Sequence, residues 1–95
     1  MRRIYKYPLI TTDVQTIKVP GLVGASGFKE QVLKIDTQRN IPCLWCLVDD
    51  EEPEQEITLV IVGTGNPMPF MSKDDYLGSY MVFEGEFVGH IFVAN

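Results

Sequence analysis

Apolar and polar residues alternate along much of this chain with the period of two that is typical of β-strands. Two segments, residues 43–48 and 57–62, are apolar at nearly every position, which indicates central strands in a fold that covers both sheet faces. The other strand candidates alternate more weakly. They are expected at residues 2–6, 14–19, 30–39, 76–83 and 87–93, with a helical turn as the competing interpretation of 30–39.

Turn-forming residues separate these segments. Pro20 and Gly21 end the second strand and begin a glycine-rich loop, residues 21–28. The S-x-x-D pattern from Ser72 is typical of a capping box and predicts one helical turn. Hairpins are expected between residues 30–39 and 41–49 and between the last two strands. An acidic run is expected to guard a further hairpin between the two central strands. The pattern predicts an all-β domain, a small sandwich or partly open barrel of about seven mostly antiparallel strands, with at most one or two helical turns.

The composition agrees with a single β-rich domain over residues 1–95. A chain of this length can bury a core without disulfides, and 45% hydrophobic with 22% charged residues excludes wholesale disorder. No apolar run approaches the roughly 18 residues of a membrane-spanning helix, and no signal-peptide pattern follows the N-terminus. We therefore expect a cytosolic protein.

The net charge of −5 comes from one segment. Residues 49–56 hold six carboxylates and no base, whereas the rest of the chain has 8 basic and 7 acidic side chains. No basic stripe of the kind that phosphate backbones require stands out, so direct nucleic-acid binding is not expected. The acidic run either keeps a turn soluble or contacts a partner protein. The residues of that contact would be Asp50, Glu51, Glu52 and Glu54.

Cys43 and Cys46 form a C-x-x-C pattern, but residues three apart on a strand point to opposite faces. We therefore predict two buried, reduced, structural cysteines. One C-x-x-C and a single histidine do not supply a four-ligand zinc site, so no metal and no cofactor are expected.

The loop after the second central strand is a candidate ligand site, since binding residues often lie on loops that a rigid strand positions. It contains Gly63, Thr64, Gly65 and Asn66. Glycines let backbone N–H groups converge on an anion, although the same residues are typical of an ordinary turn. The spacing and the lysine of a P-loop are absent.

Trp45 and His90 are the other candidate ligand residues. Trp45 either packs in the core or provides a stacking platform for a base or sugar, with Tyr80 or Phe92 nearby. His90 either completes an apolar strand face or binds a phosphate or carboxylate. No local signature of a nucleophile accompanies His90, so no catalytic residue is predicted.

Several segments of the sequence resemble one family. The most specific are Pro-Cys-Leu-Trp-Cys-Leu-Val-Asp at residues 42–49 and Val-Gly-Thr-Gly-Asn-Pro at residues 62–67. Together with residues 4–9, 76–78 and 90–92 they resemble small uncharacterised proteins encoded by tailed bacteriophages and prophages. The chain departs from that family in its longer glycine-rich segment, in Cys46, where alanine is usual, and in an extended C-terminal tail.

This resemblance implies a viral accessory protein in the cytoplasm of the infected bacterial host, and it implies no reaction. By analogy with small phage proteins that lack catalytic residues, we expect a counter-defence factor. The hypothesis is a non-enzymatic binding protein, able to form a homo-oligomer, that sequesters a small nucleotide-derived immune signal through its two glycine loops. An inhibitor that docks on a host defence protein through the acidic loop is the alternative. A minor virion or assembly module is the third hypothesis.

Overall fold

The computed structural model describes residues 1–21 and 27–94, which form a sandwich of two antiparallel sheets. The three-stranded sheet has the order β1-β4-β3, and the four-stranded sheet has the order β2-β5-β7-β6. The predicted all-β fold with seven strands is confirmed. None of the helical turns in the described part of the chain is long and apolar enough to cross a membrane. The strands are β1 (Arg2–Pro8), β2 (Val14–Pro20), β3 (Val32–Gln38), β4 (Ile41–Asp49), β5 (Glu54–Gly63), β6 (Tyr76–Val82) and β7 (Phe87–Ala94), and the 3₁₀ turns are Phe28–Gln31, Lys73–Asp75 and Phe83–Gly85.

Each of the two strongly apolar strands is central in its own sheet, as predicted. Alternate residues of β4 and β5 point into the space between the sheets, and Leu44 and Leu59 have no exposed surface. Side chains from both inner faces interdigitate there, as is usual for two sheets packed face to face. The core contains Leu9, Ile17, Val19, Phe28, Leu44, Cys46, Val48, Ile57, Leu59, Ile61, Tyr80, Val82, Ile91 and Val93.

The acidic connection between β4 and β5 does not close a hairpin, so that prediction was wrong. β4 pairs with β1 and β3, whereas β5 pairs with β2 and β7 in the other sheet. The acidic run therefore crosses from one sheet to the other, and its last residues, Glu54 and Glu56, already belong to β5. Opposite sheets allow the apolar inner faces of β4 and β5 to cover each other across the core, which a hairpin within one sheet would not.

The two other predicted hairpins, β3–β4 and β6–β7, are confirmed. Arg39 and Asn40 form the first turn with φ of 53° and 62°, the left-handed conformation that tight hairpin turns require. The Asn40 side chain accepts a hydrogen bond from the backbone N–H of Phe83 at 3.0 Å, which ties this turn to the second hairpin. The predicted capped turn is also present, since Ser72 Oγ accepts from the backbone N–H of Asp74 at 3.1 Å.

The glycine-rich loop falls largely outside the described residues, which exclude residues 22–26. Its two ends are anchored. Gly21 has a φ of 74° and lies so close to Asp49 that a Cβ on it would come within 2.9 Å of the Asp49 Cβ. The buried Gln31 side chain donates to the backbone oxygens of Gly21 at 3.0 Å and Leu47 at 2.7 Å, which joins the end of β2 to β4.

Candidate functional site

The predicted ligand residues lie on both outer faces of the sandwich rather than in one place. Thr64 hydrogen-bonds His90 at one end of the four-stranded sheet, where Gly63 pairs with Gly89. Trp45 is half-buried on the outer face of the three-stranded sheet.

The aromatic neighbours expected for Trp45 are in the other sheet. Tyr80 points into the core from β6, and Phe92 lies on the outer face of β7. Trp45 itself is outside the core. The prediction that Trp45 packs in the core was therefore wrong, and its role as a stacking platform stays a prediction.

His90 is held between two hydroxyl groups. Its Nε2 is 2.7 Å from Thr64 Oγ1, and its Nδ1 is 3.0 Å from the Tyr76 hydroxyl. Thr64 Oγ1 is also 3.4 Å from the carbonyl oxygen of Val88, to which it can donate. One tautomer satisfies the chain: Tyr76 donates to Nδ1, Nε2 donates to Thr64, and Thr64 donates to Val88.

This series of hydrogen-bonded side chains has the order of a catalytic triad, which consists of a nucleophile, a base and an orienting group. It differs from a triad in its third member. In hydrolases the third group is a carboxylate, which stabilises the imidazolium as it forms. Here the third group is the hydroxyl of Tyr76 and not a carboxylate. Cys43 lies in the other sheet, and Ser79, the cross-strand neighbour of His90, faces an imidazole whose two nitrogens are already bonded. The arrangement therefore links β7 to the loop after β5 and to the start of β6.

A concavity of about 530 Å³ lies on the outer face of the four-stranded sheet, beside Gly63 and Asn66. Its other lining residues are mostly apolar, and Asp13 is its one charged residue among the described part of the chain. Next to it, Phe70 is fully exposed. None of the described residues that line this concavity is a cation, so an anion at the Gly63–Asn66 loop would depend on backbone N–H groups, and this site stays a prediction. Its apolar lining is Val14, Val60, Ile61, Val62, Pro67, Met68 and Pro69.

The outer face of the three-stranded sheet has the opposite character. Trp45 pairs with Lys6 of β1 on one side and with Lys34 of β3 on the other. The Lys34 Nζ lies 5.7 Å from the centroid of the Trp45 ring, within the range of a cation–π contact. We call Lys6, Lys34, Arg39 and Trp45 the basic–aromatic face. It was missed from the sequence because its members are far apart in the chain, and only strand register brings them together.

A β-bulge places Lys34 on this face. The pairing of β3 with β4 runs from Val32 opposite Cys46 directly to Lys34 opposite Trp45, with Leu33 as the extra residue. Without that extra residue, Lys34 would pair with Leu44 and point into the core. Bulges commonly redirect a side chain next to a functional site.

A second concavity, of about 540 Å³, is lined by Cys43 and by Lys6, the cross-strand neighbour of Trp45. Lys6 and Arg39 contribute its cations, and none of the described residues that line it is a carboxylate. Lys6 Nζ donates to Gln38 Oε1 at 3.0 Å. Pro8 and Ile41 complete its lining. The basic–aromatic face thus combines a stacking ring, adjacent cations and a concavity large enough for part of a small ligand.

The two cysteines are free and buried, as predicted. Cys46 points into the core, and burial raises the pKa of its thiol to about 11. Cys43 is outside the core cluster and is one of the residues that line the second concavity. No group of three potential metal ligands occurs among the described residues.

The acidic connection is partly neutralised within the molecule. The ammonium group of Met1 lies 3.0 Å from Asp49, 3.1 Å from Asp50 and 3.2 Å from Glu51, and Arg3 also pairs with Asp50. These contacts lower the pKa of Asp50, chiefly through Arg3, and that of Asp49, chiefly through the Met1 ammonium. The pKa of the ammonium itself is raised to about 10, with Asp49 as the largest cause.

Comparison with known proteins identifies a family whose function is unknown. No curated protein and no solved structure matches the chain. A family model described as a domain of unknown function, DUF7352, matches residues 1–95. The chain therefore belongs to the DUF7352 family.

Proposed function

We propose that this protein is a non-enzymatic binding protein for a small nucleotide-type ligand and that the ligand binds at the basic–aromatic face. The observation that carries the proposal is the position of Trp45 between Lys6 and Lys34, beside a concavity that Arg39 also lines. A nucleotide combines a flat aromatic ring with an anionic phosphate. Stacking on tryptophan and charge-assisted hydrogen bonds to cations recognise those two parts.

The placement differs from the one expected from sequence. The Gly63–Asn66 loop borders the apolar concavity, where Asp13 would repel a phosphate. Trp45 keeps its proposed role as a stacking platform, and the cations come from β1 and from the β3–β4 hairpin. Binding without turnover by a small phage accessory protein is the behaviour of a counter-defence factor that sequesters an immune signal in the host cytoplasm. The phage origin, the location and the immune signal are parts of this proposal.

Thermal unfolding with a panel of cyclic and ADP-ribose-type nucleotides tests the binding. A ligand at 100 times its Kd adds about 2.7 kcal/mol to the free energy of unfolding. For a domain of this size, that corresponds to a shift of roughly 10 °C or more. Because Trp45 is the single tryptophan of the chain, its fluorescence reports stacking directly. No shift and no quenching with any nucleotide of the panel would reject the proposal.

Two variants locate the site. Trp45→Leu removes the stacking surface and should weaken binding by about fivefold to 150-fold, since a base–aromatic stack is worth about 1–3 kcal/mol. Asn66→Ala, at the apolar concavity, should leave the affinity unchanged. The reverse result would return the site to the glycine loop.

Docking on a host defence protein is the second candidate, supported by the exposed acidic residues Glu52 and Glu54. Asp49, Asp50 and Glu51 already contact Met1, so the acidic loop offers a partner less charge than its sequence suggests. Replacing Glu51, Glu52 and Glu54 with Gln should abolish inhibition of the host protein if the loop is the contact. Undiminished inhibition would exclude it. Nothing in residues 1–21 and 27–94 favours the virion or assembly hypothesis, and self-association stays a prediction that analytical ultracentrifugation tests.

A further inference from the structure

The geometry points to Lys34 as a selectivity switch: on binding, its ammonium leaves the Trp45 ring and Asp36 and pairs with the anionic group of the ligand. This inference rests on the proposed function, because it concerns the same site. It adds a property that stacking alone does not give, namely discrimination against uncharged aromatic molecules.

Lys34 covers one face of the Trp45 ring, and a ring face is where a base stacks. The Lys34 Nζ lies over it, 5.7 Å from the ring centroid. A base that stacks there must displace the ammonium.

Asp36 is the second partner that Lys34 must leave. Its Oδ2 is 3.5 Å from Lys34 Nζ. Its Oδ1 accepts a hydrogen bond from the backbone N–H of Thr37 at 2.8 Å, which fixes the carboxylate independently of Lys34. Both side chains of the ion pair are more than half exposed, so the ammonium can move through water without crossing a packed interior.

The exchange favours anionic ligands. An uncharged nucleoside that stacks on Trp45 breaks both contacts of Lys34 and gives the ammonium no new anionic partner. A phosphate gives the released ammonium a new partner, and Asp36 competes with that phosphate for it. Exposed ion pairs change an equilibrium by about twofold to fivefold. The wild-type protein should therefore prefer a nucleotide over its nucleoside by at least this factor.

The test uses ADP-ribose and cyclic AMP as anionic probes and adenosine as the uncharged probe, in fluorescence titrations of Trp45. Asp36→Asn keeps an oxygen for the Thr37 N–H but loses the charge, so it should tighten nucleotide binding about twofold to fivefold. Lys34→Met should weaken nucleotide binding by a similar factor and leave adenosine binding equal or tighter. Lys18→Met on β2, an exposed lysine in the other sheet, is the matched control and should change neither affinity.

A double-variant cycle separates exchange from simple repulsion. If Asp36 acts through Lys34, the tightening by Asp36→Asn disappears in the Lys34→Met background. If the tightening persists there in full, Asp36 merely repels the phosphate and the exchange is refuted.

Ligand-free fluorescence gives an independent readout. Lys34→Met should change the Trp45 emission, and Lys18→Met should not. Unchanged emission in Lys34→Met would show that the ammonium does not contact the ring, which overturns the inference even if nucleotides bind. If no probe binds the wild-type protein, the proposed function fails and the exchange fails with it, whatever the emission shows.

Discussion

Replacing Tyr80 with phenylalanine should stabilise this fold. Tyr80 is 3% exposed, and its hydroxyl has no hydrogen-bond partner among the described residues. Its ring packs against Gly89, and its centroid is 6.2 Å from that of Phe87. A buried polar group without a partner costs about 1–3 kcal/mol. Phenylalanine fills nearly the same space and removes that cost.

The expected gain is about 1 kcal/mol in the free energy of unfolding, at the lower end of that range because the oxygen also makes favourable dispersion contacts. For a domain of this size, the gain raises Tm by roughly 4–8 °C. Circular dichroism during heating measures Tm, and urea denaturation with an unchanged m-value measures the free energy. Tyr7→Phe is the matched control. The Tyr7 hydroxyl donates to the backbone oxygen of Lys18 at 2.8 Å, so this variant should lose about 0.5–1.5 kcal/mol.

Two results would refute this reasoning about Tyr80. A loss of stability as large as that of Tyr7→Phe would mean that the hydroxyl makes a hydrogen bond in the folded protein. The second is the pH dependence. Burial raises the pKa of Tyr80 above 10, so above that pH the unfolded chain ionises while the folded protein keeps the proton. Wild-type stability should therefore fall as pH rises above 10, and the advantage of Tyr80→Phe should widen. A constant difference would contradict the burial of the hydroxyl.

Three further predictions follow from packing and burial. Gly89→Ala should lower the free energy of unfolding, measured by urea denaturation, by about 1–3 kcal/mol, because the new Cβ would lie 2.5 Å from Tyr80 Cζ. Ser79→Ala, at an exposed position, is the control, and an unchanged midpoint for Gly89→Ala would contradict the contact. Burial raises the pKa of Cys46 from 9.0 to about 11, so stability that is present below pH 9 is lost as pH rises to 11, by at most about 3 kcal/mol. Cys46→Ala should flatten urea-measured stability over that window, and an identical slope would speak against it. Phe70→Ser should stay within about 0.5 kcal/mol of wild type while retention on a hydrophobic column decreases, and a large loss of stability would show that Phe70 is packed.

The alternation of apolar and polar side chains predicted the strands because successive residues of a strand in a sandwich point alternately to the core and to the outside. Residues 43–48 of β4 and 57–62 of β5 are instead apolar at nearly every position, as expected for strands that are central in their sheets, and the two β-hairpins follow from short turns between neighbouring segments. Local sequence patterns were also enough to predict the Ser72 cap and the positions of Cys43 and Cys46 on opposite faces of their strand.

The candidate site depends on information that local patterns do not contain. Lys6 meets Trp45 only because β1 pairs with β4, and Lys34 meets it only because Leu33 is a bulge. A one-residue change of register moves a side chain to the other face, so neither contact follows from alternation alone. The hairpin expected at the acidic run failed for a related reason. Two adjacent apolar segments are compatible both with pairing and with opposite sheets, and only packing of the whole core decides between them.

The order of the strands has a consequence for how the basic–aromatic face is assembled during folding. The contact of Trp45 with Lys34 needs one hairpin, closed by the short turn at Arg39 and Asn40, and hairpins form in about 1–10 μs. Lys6 becomes the neighbour of Trp45 only when β1 pairs with β4, and β2 and β3 separate these two strands in the sequence. Such long-range β pairing is slow. One half of the face is thus encoded locally and the other half is a product of complete folding. In a partly folded chain, Trp45 is therefore already next to Lys34 but not yet next to Lys6.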